Sequence, residues 1–284
     1  MGTGIFMTMA EGKERSGVPE HSILALIRAR GFQLSRWNHP REMESFMADK
    51  SEDADAFYRF MHRYSHRLIL HDLFRLKPRC QRQELTHYVS RESLSRILAR
   101  LETFGLITCH SDGGVSIHFP REWSVGWLLE WYLASLLDNE FASPAIFNVG
   151  LLGTETGGDF DVLAGWGNRL LYIETKSAPP KGIHNPEIAA FLTRIHQLKP
   201  DLAVFLNDTH LRVKDKIVLM FEEELIHLKG IGSLKQYPVE RVQGQIFHIQ
   251  HALYIMNSKR DIRQNLRIVF HDHLQHRGAF GWLF

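Results

Sequence analysis

The sequence predicts an α/β protein with two domains. Residues 20–120 are mostly helical in pattern, whereas residues 121–284 mix helix-like and strand-like runs. At 284 residues, with 44% hydrophobic and 23% charged residues, the chain can form two modest cores and has a globular composition. The change of pattern near Pro120 predicts a flexible tail at 1–19, one domain at 20–120 and a second at 121–284.

Composition excludes several classes of protein. No apolar run approaches the roughly 20 residues that span a bilayer, so no membrane partner is expected. Cys80 and Cys109 are too few for a disulfide framework and wrongly spaced for a zinc site, which favours the cytoplasm. The net charge of +2 gives no global basic field, so nucleic-acid binding must rely on local patches. The histidine-rich run 271–276 is interpreted as a helix surface rather than a metal site.

The elements of the first domain follow from helical periodicity. Residues 22–32 and 55–76 carry apolar residues at helical spacing, and a short helix covers 82–88. Ser90 is suited to cap the next helix, which ends at Gly105. One face of that helix is apolar, with Leu94, Ile97, Leu98 and Leu101. Two apolar runs then flank "SDGG" (111–114), which predicts a β-hairpin.

Helix, turn, helix and hairpin in this order resemble a winged helix-turn-helix. The stretch "SRESLSRILARLETFGLI" resembles the recognition helix and following strand of bacterial winged-helix regulators. The resemblance implies DNA contact through a small polar and basic face, made of Ser90, Arg91, Glu92, Ser95 and Arg96. Winged helices also serve as protein-contact or dimerisation modules. A protein-contact role for this domain and a homodimer therefore stay open as alternatives.

The second domain reads as a mixed sheet flanked by helices. The predicted elements are a helix at 124–141, a strand at 145–152, a hairpin within 157–177, a helix at 185–198, a strand at 202–208, a helix at 211–228, one or two strands at 245–257 and a helix at 260–275. A helix, a three-strand meander, a helix and a strand together give this architecture.

Charged residues gather on the hairpin within "GGDFDVLAGWGNRLLYIETKS" (157–177). Because strand side chains alternate, Glu174 and Lys176 share one face with Tyr172. A turn centred on Trp166-Gly167 places Asp161 opposite Tyr172 and Asp159 opposite Glu174. Phe160, Val162, Leu171 and Ile173 then pack behind the charges.

Carboxylates gathered at one point repel unless a cation lies between them. Mg²⁺ or Mn²⁺, which prefer oxygen ligands, are the expected guests. Lys176 beside such an ion could orient or help to deprotonate a water, and could neutralise charge on a phosphate. The set therefore suits metal-assisted hydrolysis of a phosphodiester.

Asp161 on one strand, followed by Glu174-Thr175-Lys176 on the next, resembles the PD-(D/E)xK nuclease superfamily and its restriction-endonuclease-like fold. The resemblance covers residues 124–207, and no proline precedes Asp161. It implies that Asp161 and Glu174 bind metal and that Lys176 acts in catalysis. It also implies that Glu130, on the preceding helix, completes the site. The position of Asp159 leaves two possibilities open, that it shares the metal or that it only lies beside it.

The sequence thus predicts a cytoplasmic, Mg²⁺- or Mn²⁺-dependent endonuclease that acts on DNA delivered by the winged helix. One alternative is a DNA-binding regulator or assembly protein whose nuclease-like domain is not catalytic. Another is an effector that cleaves RNA, with the winged helix as a dimer or sensor module.

Overall fold

A computed structural model of the protein describes residues 18–49, 53–85, 87–154 and 159–276. The predicted tail, apart from residues 18 and 19, lies outside these ranges. The α-helices of the described chain are α1 (Val18–Arg28), α2 (Glu42–Met47), α3 (Ala54–Met61), α4 (Tyr64–Leu76), α5 (Arg91–Thr103), α6 (Val125–Phe141), α7 (Asn185–Leu198), α8 (Leu219–Lys229), α9 (Ser233–Gln236) and α10 (Ile262–His276). The strands are β1 (Gln33–Asn38), β2 (Arg79–Gln81), β3 (Ile107–Cys109), β4 (Gly114–Ile117), β5 (Ala145–Leu152), β6 (Phe160–Trp166), β7 (Arg169–Lys176), β8 (Leu202–Asn207), β9 (Glu240–Gln243), β10 (Ile246–Ile249) and β11 (Leu253–Asn257).

Eight strands form one mixed sheet, in the order β1-β5-β6-β7-β8-β11-β10-β9. Strand β8 runs parallel to its neighbours β7 and β11, and the other neighbouring pairs are antiparallel. Helices α1, α7 and α8 cover one face, while α6 and α10 cover the other together with the N-terminal helices. The predicted α/β class, with a mixed sheet flanked by helices, is confirmed.

A smaller three-stranded sheet, in the order β2-β4-β3, follows the N-terminal helices. The predicted hairpin is present as β3 and β4, and α5 begins where it was expected. The Ser90 hydroxyl caps α5 by accepting a hydrogen bond from the Ser93 amide at 3.2 Å. The four apolar residues predicted to share one face of α5 are all buried. The segment predicted as a short helix is a 3₁₀ turn at Arg82–Leu85. The winged-helix identity of this unit stays a prediction.

The helix predicted over 55–76 is two helices, α3 and α4, separated at His62 and Arg63. The break has a visible cause in Arg67. Its Nη1 donates hydrogen bonds to the carbonyls of Met61 at 2.6 Å and His62 at 3.2 Å, at the end of α3. Its other nitrogens hold Asp208, at the end of β8, at 2.7 and 2.8 Å. Asp208, which is distant in the chain, therefore holds Arg67 in the position from which it caps the end of α3.

The structure differs from the sequence-based division of the chain at α1 and β1. Strand β1 pairs with β5, with Gln33 opposite Leu152 and Asn38 opposite Phe147, and α1 packs against β6 and β7. Residues 20–38, which were assigned to the first domain, therefore join the large sheet. The physical reason is that the polar strand β1 supplies the backbone partners that β5 would otherwise lack at the edge of the sheet.

One continuous apolar core links the N-terminal helices to the large sheet. Phe57 of α3, for example, stacks on Trp131 of α6 with ring centroids 5.4 Å apart. Within the described ranges, none of the helices combines the length and the apolar character that crossing a bilayer requires.

Candidate active site

The β6–β7 hairpin carries most of the predicted site, and its register differs from the prediction. Trp166 pairs with Arg169 and Val162 with Ile173, so the two-residue turn is Gly167-Asn168. Gly167 has φ of +59°, a value that Trp166 could adopt only with strain. Continued by one pair, this register places Asp161 beside Glu174 rather than beside Tyr172.

The apolar residues of the hairpin divide between the two faces. Val162, Leu171 and Ile173 pack against α6. They share one face of the hairpin, as the sequence predicted. Phe160 instead packs on the opposite face, against the Tyr172 ring at 5.2 Å. The predicted alternation fails at the start of β6, where the neighbouring strand carries Asn148 at a φ of +50°.

Asp161 is anchored to the neighbouring strand by its side chain. Its Oδ2 accepts hydrogen bonds from the Thr175 amide at 2.7 Å and from the Thr175 hydroxyl at 3.0 Å. Burial, together with the nearby charge of Glu174, raises the pKa of Asp161 to about 7, against the lowering effect of these hydrogen bonds. The carboxylate is therefore fixed in place, in surroundings where its negative charge is costly.

Glu174 is almost fully buried, at 2% exposed, and it accepts hydrogen bonds from three side chains. Lys176 Nζ donates to Oε1 at 2.8 Å, and Arg194 of α7 donates to Oε2 at 3.0 Å. The Tyr172 hydroxyl also donates to Oε2. Two cations and a phenol thus surround this carboxylate inside the protein.

Lys176 lies between two carboxylates at the end of β7. Its Nζ is 2.8 Å from Glu174 Oε1 and 3.6 Å from Glu187 Oε1 on α7. Burial lowers the pKa of Lys176, but the charge and hydrogen bond of Glu174 outweigh that effect, so the net pKa is raised. The lysine is therefore a cation at neutral pH, suited to neutralising negative charge.

Glu130 of α6 joins the same electrostatic environment from the neighbouring helix. A Cβ added at Gly126 would lie 3.7 Å from Glu130 Oε1, so the side chain runs back over the preceding turn. Burial raises the pKa of Glu130 to about 9, and the charges of Asp161, Glu174 and Asp159 add to the shift. No described residue donates a hydrogen bond to this carboxylate.

Asp159 immediately precedes β6 and has a partner outside the hairpin. It forms an ion pair with Arg36 of β1, a strand that the sequence did not associate with the site. Its charge still contributes to the raised pKa of Glu130. Asp159 therefore lies beside the other carboxylates, and its own charge is balanced by Arg36.

The donor set fits a divalent cation in its chemistry. The oxygens of Asp161, Glu174 and Glu130 are hard ligands of the kind that Mg²⁺ and Mn²⁺ prefer. The mutual charges that raise two of the pKa values are those that a cation would offset. Among the described residues, no three of the predicted carboxylates bring one oxygen each within 4.8 Å of one another. The ligands are gathered without forming a closed cage.

Sequence reasoning missed Arg194, which pairs with Glu174. Its side chain is 13% exposed, one helical turn after the buried Phe191 and directly before the buried Ile195. A charge within the apolar face of a helix was the signal that singled out Glu130. Applied to α7, the same signal would have found Arg194.

The predicted nucleic-acid face on α5 is open to solvent. Arg91, Glu92, Ser95 and Arg96 are exposed. Arg96 lies 3.7 Å from Glu92 on the same helix, and the Ser95 hydroxyl donates to the carbonyl of Arg91. Ser90 serves as the helix cap. These contacts are local, so the face is accessible.

A groove of about 590 Å³ lies between α5 and the α3–α4 junction. Four arginines line it: Arg59, Arg63, Arg96 and Arg100. Tyr88, at 53% exposed, lines it as well. No carboxylate is among the described residues that line the groove. Cations beside an exposed aromatic ring are the features with which proteins track a nucleic-acid strand.

A second recess of about 570 Å³ continues from this groove and shares Arg63, Ser65 and Tyr88 with it. It extends to His210 and Arg260. His210 follows β8, whose last residue, Asn207, pairs with Lys176. The groove therefore continues, past Arg260 and Asp261, from α5 toward the end of the sheet that carries the carboxylates.

The raised pKa of Glu130 leads to a prediction about metal-free protein. An acid whose pKa is about 9 when folded, against an ordinary 4.5, holds its proton more tightly in the folded state. Stability should therefore fall as the pH rises from about 5 to about 9. Glu130→Gln should remove roughly 2 kcal/mol of this loss, since one pKa unit corresponds to about 1.4 kcal/mol and local relaxation absorbs part of the shift.

Urea unfolding in a chelator at pH 5, 7 and 9 measures this difference. The exposed Glu122→Gln, close to the start of α6, is the matched control and should follow the wild type. Parallel pH curves for Glu130→Gln and the wild type would show that folding does not raise the pKa of Glu130.

Comparison with known proteins bears on the fold. The sequence matches no protein-family model and no curated protein. The structure is similar to that of protein VC1899 from Vibrio cholerae, with a TM-score of 0.50 and 15% identity, over 91% of this chain and 62% of that chain. A weaker similarity, with a TM-score of 0.46 and 14% identity over 89% of this chain and 60% of the other, is to Can2 from Sulfobacillus thermosulfidooxidans, solved in complex with cyclic tetra-adenylate. The chain spans about three fifths of the length of these structures, and the likeness to VC1899 supports the mixed α/β fold.

Proposed function

We propose that the protein is a metal-dependent nuclease of the PD-(D/E)xK type that hydrolyses phosphodiester bonds of DNA. One observation carries the proposal. Asp161 and the Glu174–Lys176 pair lie on adjacent antiparallel strands, and Glu130 of the covering helix shares their electrostatic environment. An acidic residue on one strand and Glu-x-Lys on the next are suited to metal-assisted hydrolysis of a phosphodiester.

Asp161, Glu174 and Glu130 would hold Mg²⁺ or Mn²⁺, with Asp159 at the margin. When bound, such an ion supplies Lewis-acid polarisation of a phosphate oxygen and lowers the pKa of water. Thr175 fixes the orientation of Asp161 through two hydrogen bonds. Tyr172 and Arg194 fix Glu174 in the same way.

Lys176 carries the part of the chemistry that the protein itself performs. Because its pKa is raised, it is protonated at neutral pH and cannot readily accept a proton from water. Lys176 was predicted either to help to deprotonate a water or to neutralise charge on a phosphate. Its protonated state supports the second role. The ammonium would donate a hydrogen bond to a phosphate oxygen as negative charge develops there.

The nucleic acid would approach along the basic groove and its continuation. Arg59, Arg63, Arg96 and Arg100 would contact the phosphate backbone, with the exposed Tyr88 beside them in the groove. In this arrangement Arg91 and Ser95 contact the strand from the outer side of α5. The winged-helix unit thus holds the substrate, and the sheet cleaves it.

The direct test is incubation of the purified protein with supercoiled plasmid, single-stranded DNA and RNA, each with a chelator, Mg²⁺ or Mn²⁺. Cleavage of DNA that requires the metal and is lost in Glu174→Gln is the expected result. Cleavage of RNA alone would show that the substrate is RNA rather than DNA. Binding without cleavage of any substrate would identify a non-catalytic nucleic-acid-binding protein.

The groove gives a separate prediction about affinity. Arg63→Ala combined with Arg96→Ala should weaken binding of duplex DNA and reduce the slope of log affinity against log salt by up to about 0.9 per lost phosphate contact. Fluorescence anisotropy between low and moderate salt measures both effects. Arg121→Ala with Lys229→Ala removes the same charge from exposed positions outside the groove. Equal losses in the two double variants would indicate a general charge effect and would remove the groove from the binding surface.

A further inference from the structure

A cluster of histidines lies where the β10–β11 turn meets the C-terminal helix α10. It contains His248, His251 and His276 around the carboxylate of Asp272. The cluster is close to Arg169, at the start of β7, whereas Lys176 ends that strand. Seven residues of extended chain separate these ends by roughly 20 Å. The cluster is therefore distinct from the carboxylates of the candidate active site.

The ligand atoms in this cluster are unusually close together. One atom each of His248, His251 and Asp272 lie within 4.8 Å of one another. His251 Nδ1 is 2.7 Å from Asp272 Oδ2, and His276 Nδ1 is 3.4 Å from Asp272 Oδ1. The His251 ring stacks at 3.8 Å on the rings of both His248 and His276. The stacked rings are nearly parallel, with interplanar angles of 22° and 14°, so they must rotate about their side-chain bonds before their nitrogens can all face one ion.

The backbone at His251 is a second and independent observation. Gln250 and His251 have φ of 53° and 50°, in a region that L-residues other than asparagine and aspartate rarely adopt. Glycine or asparagine would make this turn without strain. The chain instead places a histidine there, which points the imidazole at Asp272. A strained position is maintained when its surroundings fix it.

Neighbouring groups hold both His251 and Asp272 in place. The Tyr254 hydroxyl donates to Asp272 Oδ2 at 2.6 Å. His273 Nε2 accepts a hydrogen bond from Arg169 at 2.9 Å, so its Nδ1 carries the proton donated to the carbonyl of His251 at 2.7 Å. Outer contacts of this kind orient ligands in metal sites. The run 271–276 is a helix surface, as its sequence suggested, with four exposed residues, but Asp272 and His273 within it are buried, at 9% and 1% exposed.

We propose that His248, His251 and Asp272, with His276 as a fourth ligand, bind a transition-metal ion, with Zn²⁺ as the expected occupant. Imidazole nitrogens combined with one carboxylate are a typical ligand set for Zn²⁺, whereas Mg²⁺ prefers oxygen alone. The ion would tie the β10–β11 turn to α10. The site is structural and independent of the proposed nuclease activity.

The test uses the full chain, freed of metal by a chelator and then titrated with Zn²⁺. We expect one tightly bound Zn²⁺ per chain by calorimetry and elemental analysis, and an increase in Tm. Co²⁺ in place of Zn²⁺ should give the visible absorption of a four-coordinate site. The Asp161→Asn/Glu174→Gln variant should retain the ion, which separates this site from the carboxylate site.

His251→Ala should lose the ion and the increase in Tm. Because the His251 variant also releases a strained turn, His276→Ala is the second variant, with a side chain that is 47% exposed. It should fold normally and weaken Zn²⁺ binding at least about tenfold. His227→Ala, at an exposed histidine of α8, is the matched control. Absence of stoichiometric Zn²⁺ in the wild type, or its full retention in both His251→Ala and His276→Ala, would overturn the proposal.

Discussion

Arg67→Ala should destabilise the protein by roughly 3–5 kcal/mol, the cost typical of removing one partner from a buried ion pair. The guanidinium and the Asp208 carboxylate are 6% and 7% exposed, and two parallel hydrogen bonds join them. Without Arg67, Asp208 becomes a buried, uncompensated anion. The carbonyls of Met61 and His62 also lose their donor. Chemical unfolding monitored by tryptophan fluorescence measures the change.

Two companion variants isolate the cause. Arg63→Ala removes an exposed arginine one turn earlier and should change stability by less than about 0.5 kcal/mol. Arg67→Met combined with Asp208→Leu removes both charges and should recover at least half of the loss, because no charge is left buried alone. If the double variant is no more stable than Arg67→Ala, the packing of the long side chain, rather than its charge, holds the two parts of the molecule together.

Lys176→Ala should lower the cleavage rate by on the order of 10²–10³-fold while leaving the fold and the metal affinity nearly unchanged. Lysine contributes no oxygen to a metal, and its side chain is 22% exposed at the edge of the site. Glu174 would keep the hydrogen bonds from Tyr172 and Arg194, so its charge stays compensated. Single-turnover cleavage of plasmid DNA and calorimetric titration with Mn²⁺ measure the two quantities.

Lys181→Ala is the matched control, because it removes an exposed lysine from the turn that follows β7. Lys176→Arg keeps the charge and should retain part of the activity. Asp161→Asn should show the opposite profile to Lys176→Ala, with weakened Mn²⁺ binding. Wild-type cleavage by Lys176→Ala would remove the lysine from the reaction, and a loss of Mn²⁺ affinity in that variant would make its role indirect.

Local pattern predicted the elements well where the element depends on its own residues. Helices α5, α6 and α7 begin within one residue of their predicted starts, and the hydroxyls of Ser90 and Ser124 cap the first two. The hairpin β6–β7 followed from its own pattern as well. Its turn lies one residue later than predicted, which moves every cross-strand partner by two residues. Gly167 accepts a positive φ, and this fixes the turn after Trp166.

The structural features that the sequence did not predict all depend on contacts with distant parts of the chain. Arg67 ends α3 through a residue 141 positions away, so no local pattern could show the break. Strand β1 is polar and lies at the edge of the sheet. It pairs with β5, which follows more than 100 residues later in the chain. Arg194 and Arg36 meet their carboxylates only in three dimensions. The charges of the site were visible in the sequence, but the cations that compensate them were not.

The pairing of β1 with β5 determines how the protein can be divided. The chain leaves the sheet after Asn38 and returns beside it at Phe147, so the helical part is an insertion between neighbouring strands. A fragment that starts at residue 121 would lack α1 and β1 and would leave β5 as an unpaired edge, which favours aggregation. Arg36 would be lost as well, leaving Asp159 without its counterion. The smallest unit that keeps the sheet and the carboxylates intact is therefore discontinuous, with residues 18–38 joined to residues from α6 onward.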